Sequence, residues 1–198
     1  MKKILIASFL MCLTGVVFGQ ITGSGHDFSG NAWSGGEICI VCHTPHNGTA
    51  VANAPLWNHE VTTATFTVYT SPTLDATVAQ PSSNSLLCLS CHDGTVALES
   101  FGGNTGTNFI TGSALVGTNL GNDHPISFTY NTALATTDGE LADPATANSG
   151  LGGTINADML FSGTMECASC HDVHNNQFGS FLRLSNAGSA LCLTCHSK

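Results

Sequence analysis

Four times the chain writes Cys-x-x-Cys-His, and it never writes Cys-x-x-Cys without the histidine. The copies are Cys39-Ile40-Val41-Cys42-His43, Cys88-Leu89-Ser90-Cys91-His92, Cys167-Ala168-Ser169-Cys170-His171 and Cys192-Leu193-Thr194-Cys195-His196. They use eight of the nine cysteines. In such a motif two thiols add across two haem vinyl groups, and the adjacent imidazole falls beneath the iron. Paired cysteines also suit zinc or, in an exported chain, disulfides. Neither of those needs a histidine after every second cysteine. The pattern therefore predicts four covalent haem c groups. Cys39, Cys42, Cys88, Cys91, Cys167, Cys170, Cys192 and Cys195 hold the porphyrins. His43, His92, His171 and His196 are the proximal iron ligands.

The first residues read as a secretory signal, residues 1–19. Lys2 and Lys3 form its charged start, Ile4 to Val17 is apolar, and Val17-Phe18-Gly19 precedes a cut at Gln20. The apolar run is too short and too poorly flanked for a stable membrane span. Cys12 lies inside it, behind a poor lead-in for lipidation, so the mature chain keeps only motif cysteines. Export fits the chemistry, because haem is attached covalently outside the cytoplasm. The expected location is secreted, on an extracellular filament or the cell surface, with the periplasm as the alternative.

The mature part carries Arg183 and Lys198 as its fixed positive charges, against thirteen acids. Such a chain should bind neither nucleic acid nor anionic lipid. Charged residues make up only 9%. A surface of Thr, Ser, Asn and Gly fits packing against copies of itself or carrying glycans. Asn47-Gly48-Thr49 matches a weak glycosylation sequon.

The chain reads as a duplication within one tetrahaem domain, 20–198, with halves of about 20–100 and 101–198. Each half has a Cys-x-x-Cys-His-x-x-His-Asn site followed by a Leu-Cys-Leu-x-Cys-His site. The expected fold is a multihaem cytochrome, mostly coil and turn, with short helices at the attachment sites, little β and a haem-packed core. Thr62 to Tyr69 alternates and is rich in β-branched residues, which predicts a strand. From Phe101 to Gly163 there is no helical periodicity, and turn signals such as Asp138-Gly139 recur.

Four irons need four distal ligands if all are six-coordinate. Five histidines remain, and the repeat supplies two per half: His26 and His46, then His124 and His174. His59 has no counterpart in the second half and is expected at a haem edge or propionate rather than on an iron. Met159 and Met165 could ligate, but they do not follow the repeat. In Cys-x-x-Cys-His-x-x-His the last histidine lies on the proximal side of its own haem. His46 and His174 must therefore serve other haems, or a neighbouring molecule.

Closed irons bind no small molecule, so the expected role is electron conduction without catalysis. A reductase of oxyanions would need an open iron among positive groups, which this composition lacks. A soluble shuttle would be richer in lysine. The run of motifs from His26-Asp27-Phe28-Ser29 through Pro55-Leu56-Trp57-Asn58-His59 and Asp123-His124-Pro125-Ile126 to the last Cys-x-x-Cys-His resembles the doubled-CxxCH multihaem cytochromes. Within them it is most similar to the tetrahaem extracellular cytochrome filaments of metal-reducing bacteria. That resemblance implies a homopolymer with bis-His irons, few regular elements, and one axial histidine exchanged between subunits, placed at His46. It also implies other electron-transfer cytochromes as partners, and respiratory electrons passed to external acceptors.

Overall fold

The computed structural model describes residues 21–51 and 54–197. The signal segment with Cys12, and Lys198, lie outside the described residues. Among those described, most of the chain is coil and turn. The helices are α1 (Ser83–His92), α2 (Thr132–Asp138), α3 (Ile155–Asp158), α4 (Cys167–Cys170) and α5 (Ala190–Cys195). The strands are β1 (Thr49–Val51), β2 (Ala54–Trp57), β3 (Phe128–Thr129) and β4 (Thr164–Met165). β1 pairs antiparallel with β2, and β3 with β4.

Three of the four attachment motifs lie on helices, α1, α4 and α5. The first is a single turn, closed by the amides of Cys42 and His43 donating to the Cys39 carbonyl at 3.2 and 2.8 Å. One turn suffices, because only the two sulfurs and the imidazole must share a face. α4 begins with a reciprocal capping box between Glu166 and Ser169.

Two expectations are corrected. Thr62 to Tyr69 is extended but forms no strand, pairing at Thr67 alone in an isolated parallel bridge to Asn119. Its alternation is real, with Thr62 and Phe66 buried, yet the amides of these two bond to side chains instead of a ladder. Thr62 N–H donates to Ser90 Oγ (3.0 Å), and Phe66 N–H to Gln80 Oε1 (2.8 Å), whose amide returns a bond to the Phe66 carbonyl (2.8 Å). Alternation reports burial on one side, and here that side is α1 and its entry loop.

The stretch from 101 to 163 also builds more than loops. Asn131 Oδ1 accepts from Leu134 N–H at 2.9 Å and starts α2. The Asp138-Gly139 signal is that helix's C-terminal stop, with Gly139 left-handed at φ 76°. Phe128, Tyr130, Ala135, Ile155, Met159, Leu160, Met165, Leu191 and Cys195 form a buried cluster. A smaller cluster joins Phe66, Leu89 and Leu120. The chain thus has side-chain cores of its own beside its attachment sites, and Met159 and Met165 belong to the larger one.

Candidate haem sites

The first and third motifs are held by the same set of bonds. His43 Nδ1–H donates to the Pro55 carbonyl (3.0 Å), and His171 Nδ1–H to the Ser180 carbonyl (2.8 Å). Thr44 N–H bonds Leu56 O (2.9 Å) as Asp172 N–H bonds Phe181 O (2.7 Å). Asn58 N–H bonds Cys42 O (3.0 Å) as Arg183 N–H bonds Cys170 O (2.9 Å). The Asn58 and Arg183 side chains then reach the carbonyls of Ile40 (2.5 Å) and Ala168 (3.4 Å). Leu56 and Phe181 both sit at φ 56°. That region is costly for non-glycine residues, and here it aims a carbonyl at a functional imidazole. Gly48 lets the first hairpin close, since a Cβ there would lie 2.6 Å from Leu56 Cα.

The second and fourth motifs differ in their support. His92 ends α1 and donates from Nδ1 to Ala114 O (2.7 Å), while its own carbonyl accepts from Val116 and Gly117. His196 lies extended after α5 and bridges to Leu141, with Ala142 N–H on the Cys195 carbonyl (2.8 Å). In three of the four motifs a backbone carbonyl thus holds the proximal Nδ1–H, leaving Nε2 for a metal.

Three of the remaining histidines face proximal ones. The ring centroids are 6.0 Å apart for His26 and His92, and 6.3 Å for His43 and His174 and for His124 and His196. One iron could be held by such a pair, since two metal–imidazole bonds of about 2 Å each and the two ring half-widths would come to roughly 6 Å. His174 and His43 are near-parallel at 18°, and the other two pairs are edge-on at 79° and 74°. Burial, with His92 and His174 nearby, brings His26 down to about 4, so its imidazole is neutral. Burial also lowers His124. His174 Nδ1 lies 3.5 Å from Asp172 Oδ1. Among the described residues, His46 and His171 face no second imidazole.

His59 is 1% exposed, with Nδ1 2.8 Å from the Glu60 carbonyl and Nε2 3.0 Å from that of Ala97. A carbonyl oxygen faces each nitrogen, so neither nitrogen is open to an iron. Nε2 is also 3.6 Å from Cys91 Sγ, at the edge of the second site.

The attachment sites adjoin in chain order. Cys42 lies near Cys91, Cys170 near Cys192 and Cys195, and Cys88 near Cys167, where α1 packs on α4. All eight thiols are free. Among the described residues, no three of His, Cys, Asp and Glu converge on a metal. Burial holds the Cys42 and Cys91 thiols up at about 11 and 12. The surroundings fit porphyrins instead. Buried His26 Nδ1 and Trp57 Nε1 have no acceptor, and both rings stand edge-on to a proximal imidazole. A porphyrin's carboxylates would supply acceptors there. Leu115 and Val116, beside His92, are exposed apolar surface for its flat face.

Residues 161–198 match the family model of the doubled CXXCH motif. The matched span holds the third and fourth motifs, consistent with a multihaem c-type cytochrome. These motifs imply covalent haem c and electron transfer by it. No curated protein matches the chain. Sequence reasoning missed Arg183 and Asn58 as carbonyl braces; nothing in their local pattern marks them.

Proposed function

We propose that the chain conducts electrons through four haem c groups, each closed by two histidines, within an extracellular head-to-tail polymer of itself. It performs no catalysis. The haems supply reversible one-electron chemistry; the chain holds them, closes their irons and sets them in order. His26 closes the iron of His92, His124 that of His196, and His174 that of His43. The common bracing of the first and third motifs supports an internal duplication, as does the matching of His26 with His92 to His124 with His196.

The observation that carries the polymer is the facing of His174 and His43. There the second half lends its second histidine to the first motif of the half before it. Applied once more, the same relation sends His46 to the first motif of the half that precedes it, which belongs to another copy. Its target is His171, which has no facing imidazole among the described residues. Removing either end of the chain's own series leaves the complementary need: one histidine to give and one iron to close.

His46→Ala should keep four covalent haems, because no attachment residue changes. It should show one high-spin iron per chain and no polymer in negative stain. Normal filaments from this variant would overturn the reading. Reduced wild-type polymer should bind carbon monoxide only well below one equivalent per chain; strong stoichiometric binding would show an iron left open.

A further inference from the structure

His26 comes to the second motif from the N-terminal part of the described chain, and aromatic rings surround it. It precedes a single 3-10 turn, Phe28–Gly30, capped by Asp27 Oδ1, which accepts from Ser29 N–H at 3.1 Å. Phe28 lies 6.4 Å from His26 between ring centroids and leans on Trp33 at 5.5 Å, and Trp33 meets Phe101 at 6.1 Å. Phe101 is buried, so this row of rings ties the segment to the body. The nearest ring to His26 comes from the other half. Phe181 stacks on its imidazole, with centroids 4.5 Å and planes 23° apart, within the range of a favourable ring pair. His92 meets the same imidazole edge-on, at 79°.

Phe181 is itself pinned. Its N–H donates to Asn176 Oδ1 (2.9 Å), and its carbonyl accepts from Asp172 N–H (2.7 Å). Ser180, just before it, gives its carbonyl to His171 Nδ1–H (2.8 Å). The two residues sit at φ 47° and 56°, a region that is costly without glycine. Two consecutive residues thus hold the proximal imidazole of the third motif and the histidine that faces the second. In the first half Leu56 takes the place of Phe181, with the same φ and the same bond from a motif amide. The brace therefore needs no aromatic ring, and the reason for one lies in what it touches. The other edge-on histidine is held differently: His124 Nδ1–H donates to the Pro125 carbonyl at 2.8 Å. His26 Nδ1 has no acceptor among the described residues, so within the chain a ring restrains His26 where a carbonyl restrains His124.

We propose that Phe181 is a positioning residue: its ring fixes the plane of His26, and so the ligand geometry of the second haem, from a two-residue bridge that also holds the proximal ligand of the third. The inference rests on the reading above that His26 closes the iron of His92. An imidazole can turn about its bond to a metal, and a flat ring stacked on its face resists that turn. The transferred electron occupies an iron orbital that mixes with the π systems of the axial ligands. Their relative planes therefore enter the reduction potential alongside ligand identity. The stack makes the second site unlike the fourth, although both are written Leu-Cys-Leu-x-Cys-His. It also puts one short segment in charge of both sides of the step between the second and third haems.

The test compares full-length haem-loaded proteins. Phe181→Leu removes the ring but supplies the residue that the first brace carries at the same φ, and Phe181→Tyr keeps the ring. Haem per chain by absorbance should remain four in both. His26→Ala identifies the low-spin ferric EPR signal of the second iron as the one it abolishes. That signal alone should shift in Phe181→Leu and should stay in place in Phe181→Tyr. The ring pair restrains His26 by roughly three- to tenfold, so carbon monoxide should displace it from the reduced iron at concentrations lower by that factor. With His26 already replaced by alanine, Phe181→Leu should change nothing further at the second iron. An unmoved signal in Phe181→Leu, or a shift confined to the third iron, overturns the inference while leaving the ligand reading intact. Loss of haem in Phe181→Leu makes the residue a structural part of the third motif's brace and overturns it too. A His26→Ala protein with every iron as in the parent overturns the ligand reading itself, before any change at Phe181.

Discussion

A histidine's role here is decided by where its two ring nitrogens point. His43, His92 and His171 give Nδ1–H to a carbonyl and keep Nε2 available. His59 faces carbonyls on both sides and keeps nothing. His59→Ala should therefore leave all four irons low-spin, while removing two buried hydrogen-bond partners and opening a cavity. The expected cost is about 2–4 kcal/mol, read as a lower guanidinium midpoint with an unchanged optical spectrum. His174→Ala should behave in the opposite way. Haem content stays at four, but the iron of His43 opens, and one carbon monoxide binds per chain. In dissociated monomer this opening should add to that of the His171 site, giving two carbon monoxide per chain against one in wild type or His46→Ala, because His174 and His43 belong to one chain. That the motifs imply covalent haem was legible in the residues, since attachment needs only five consecutive positions. Which histidine faces which motif was not, because each arrives from 66 to 131 residues away along the chain (His26 to His92 being 66, His124 to His196 being 72, His43 to His174 being 131).

At the scale of elements, the packing of α1 on α4 joins the two halves, and a buried acid lies in it. Glu166 accepts from Ser85 and, at 3.2 Å, from Ser127, while its Oε1 has no partner. Burial pushes its carboxyl above the ordinary range despite those two hydroxyls. The folded chain then binds this proton more tightly than the unfolded chain. Its contribution to stability is greatest below the ordinary carboxyl range and is lost as pH rises through the raised value. Glu166→Gln should flatten that part of the stability–pH curve and hold its low-pH stability at pH 7, as checked by denaturant midpoints across pH. A steeper fall with pH in the variant would contradict the assignment. No local pattern announced this acid, since a glutamate before a helix reads first as a cap. The misread segment 62–69 teaches the same lesson. Alternation showed which side chains are buried, but the choice between a ladder and side-chain acceptors depended on Gln80 and Ser90 being near.

At the scale of the molecule, the four attachment motifs adjoin in chain order, with the second and third joined where α1 packs on α4. The sequence by itself determined the chemistry and its multiplicity of sites, because covalent attachment and proximal ligation are written in contiguous residues. It also set the net charge, which is additive over residues and independent of folding. Only the tertiary structure decided the rest: the pairing of His174 with His43, the idle nitrogens of His59, and the side-chain core around Tyr130 and Met159. Each of these depends on which distant segments meet, and a low-charge chain rich in Gly, Thr and Asn carries little periodicity from which such meetings could be read.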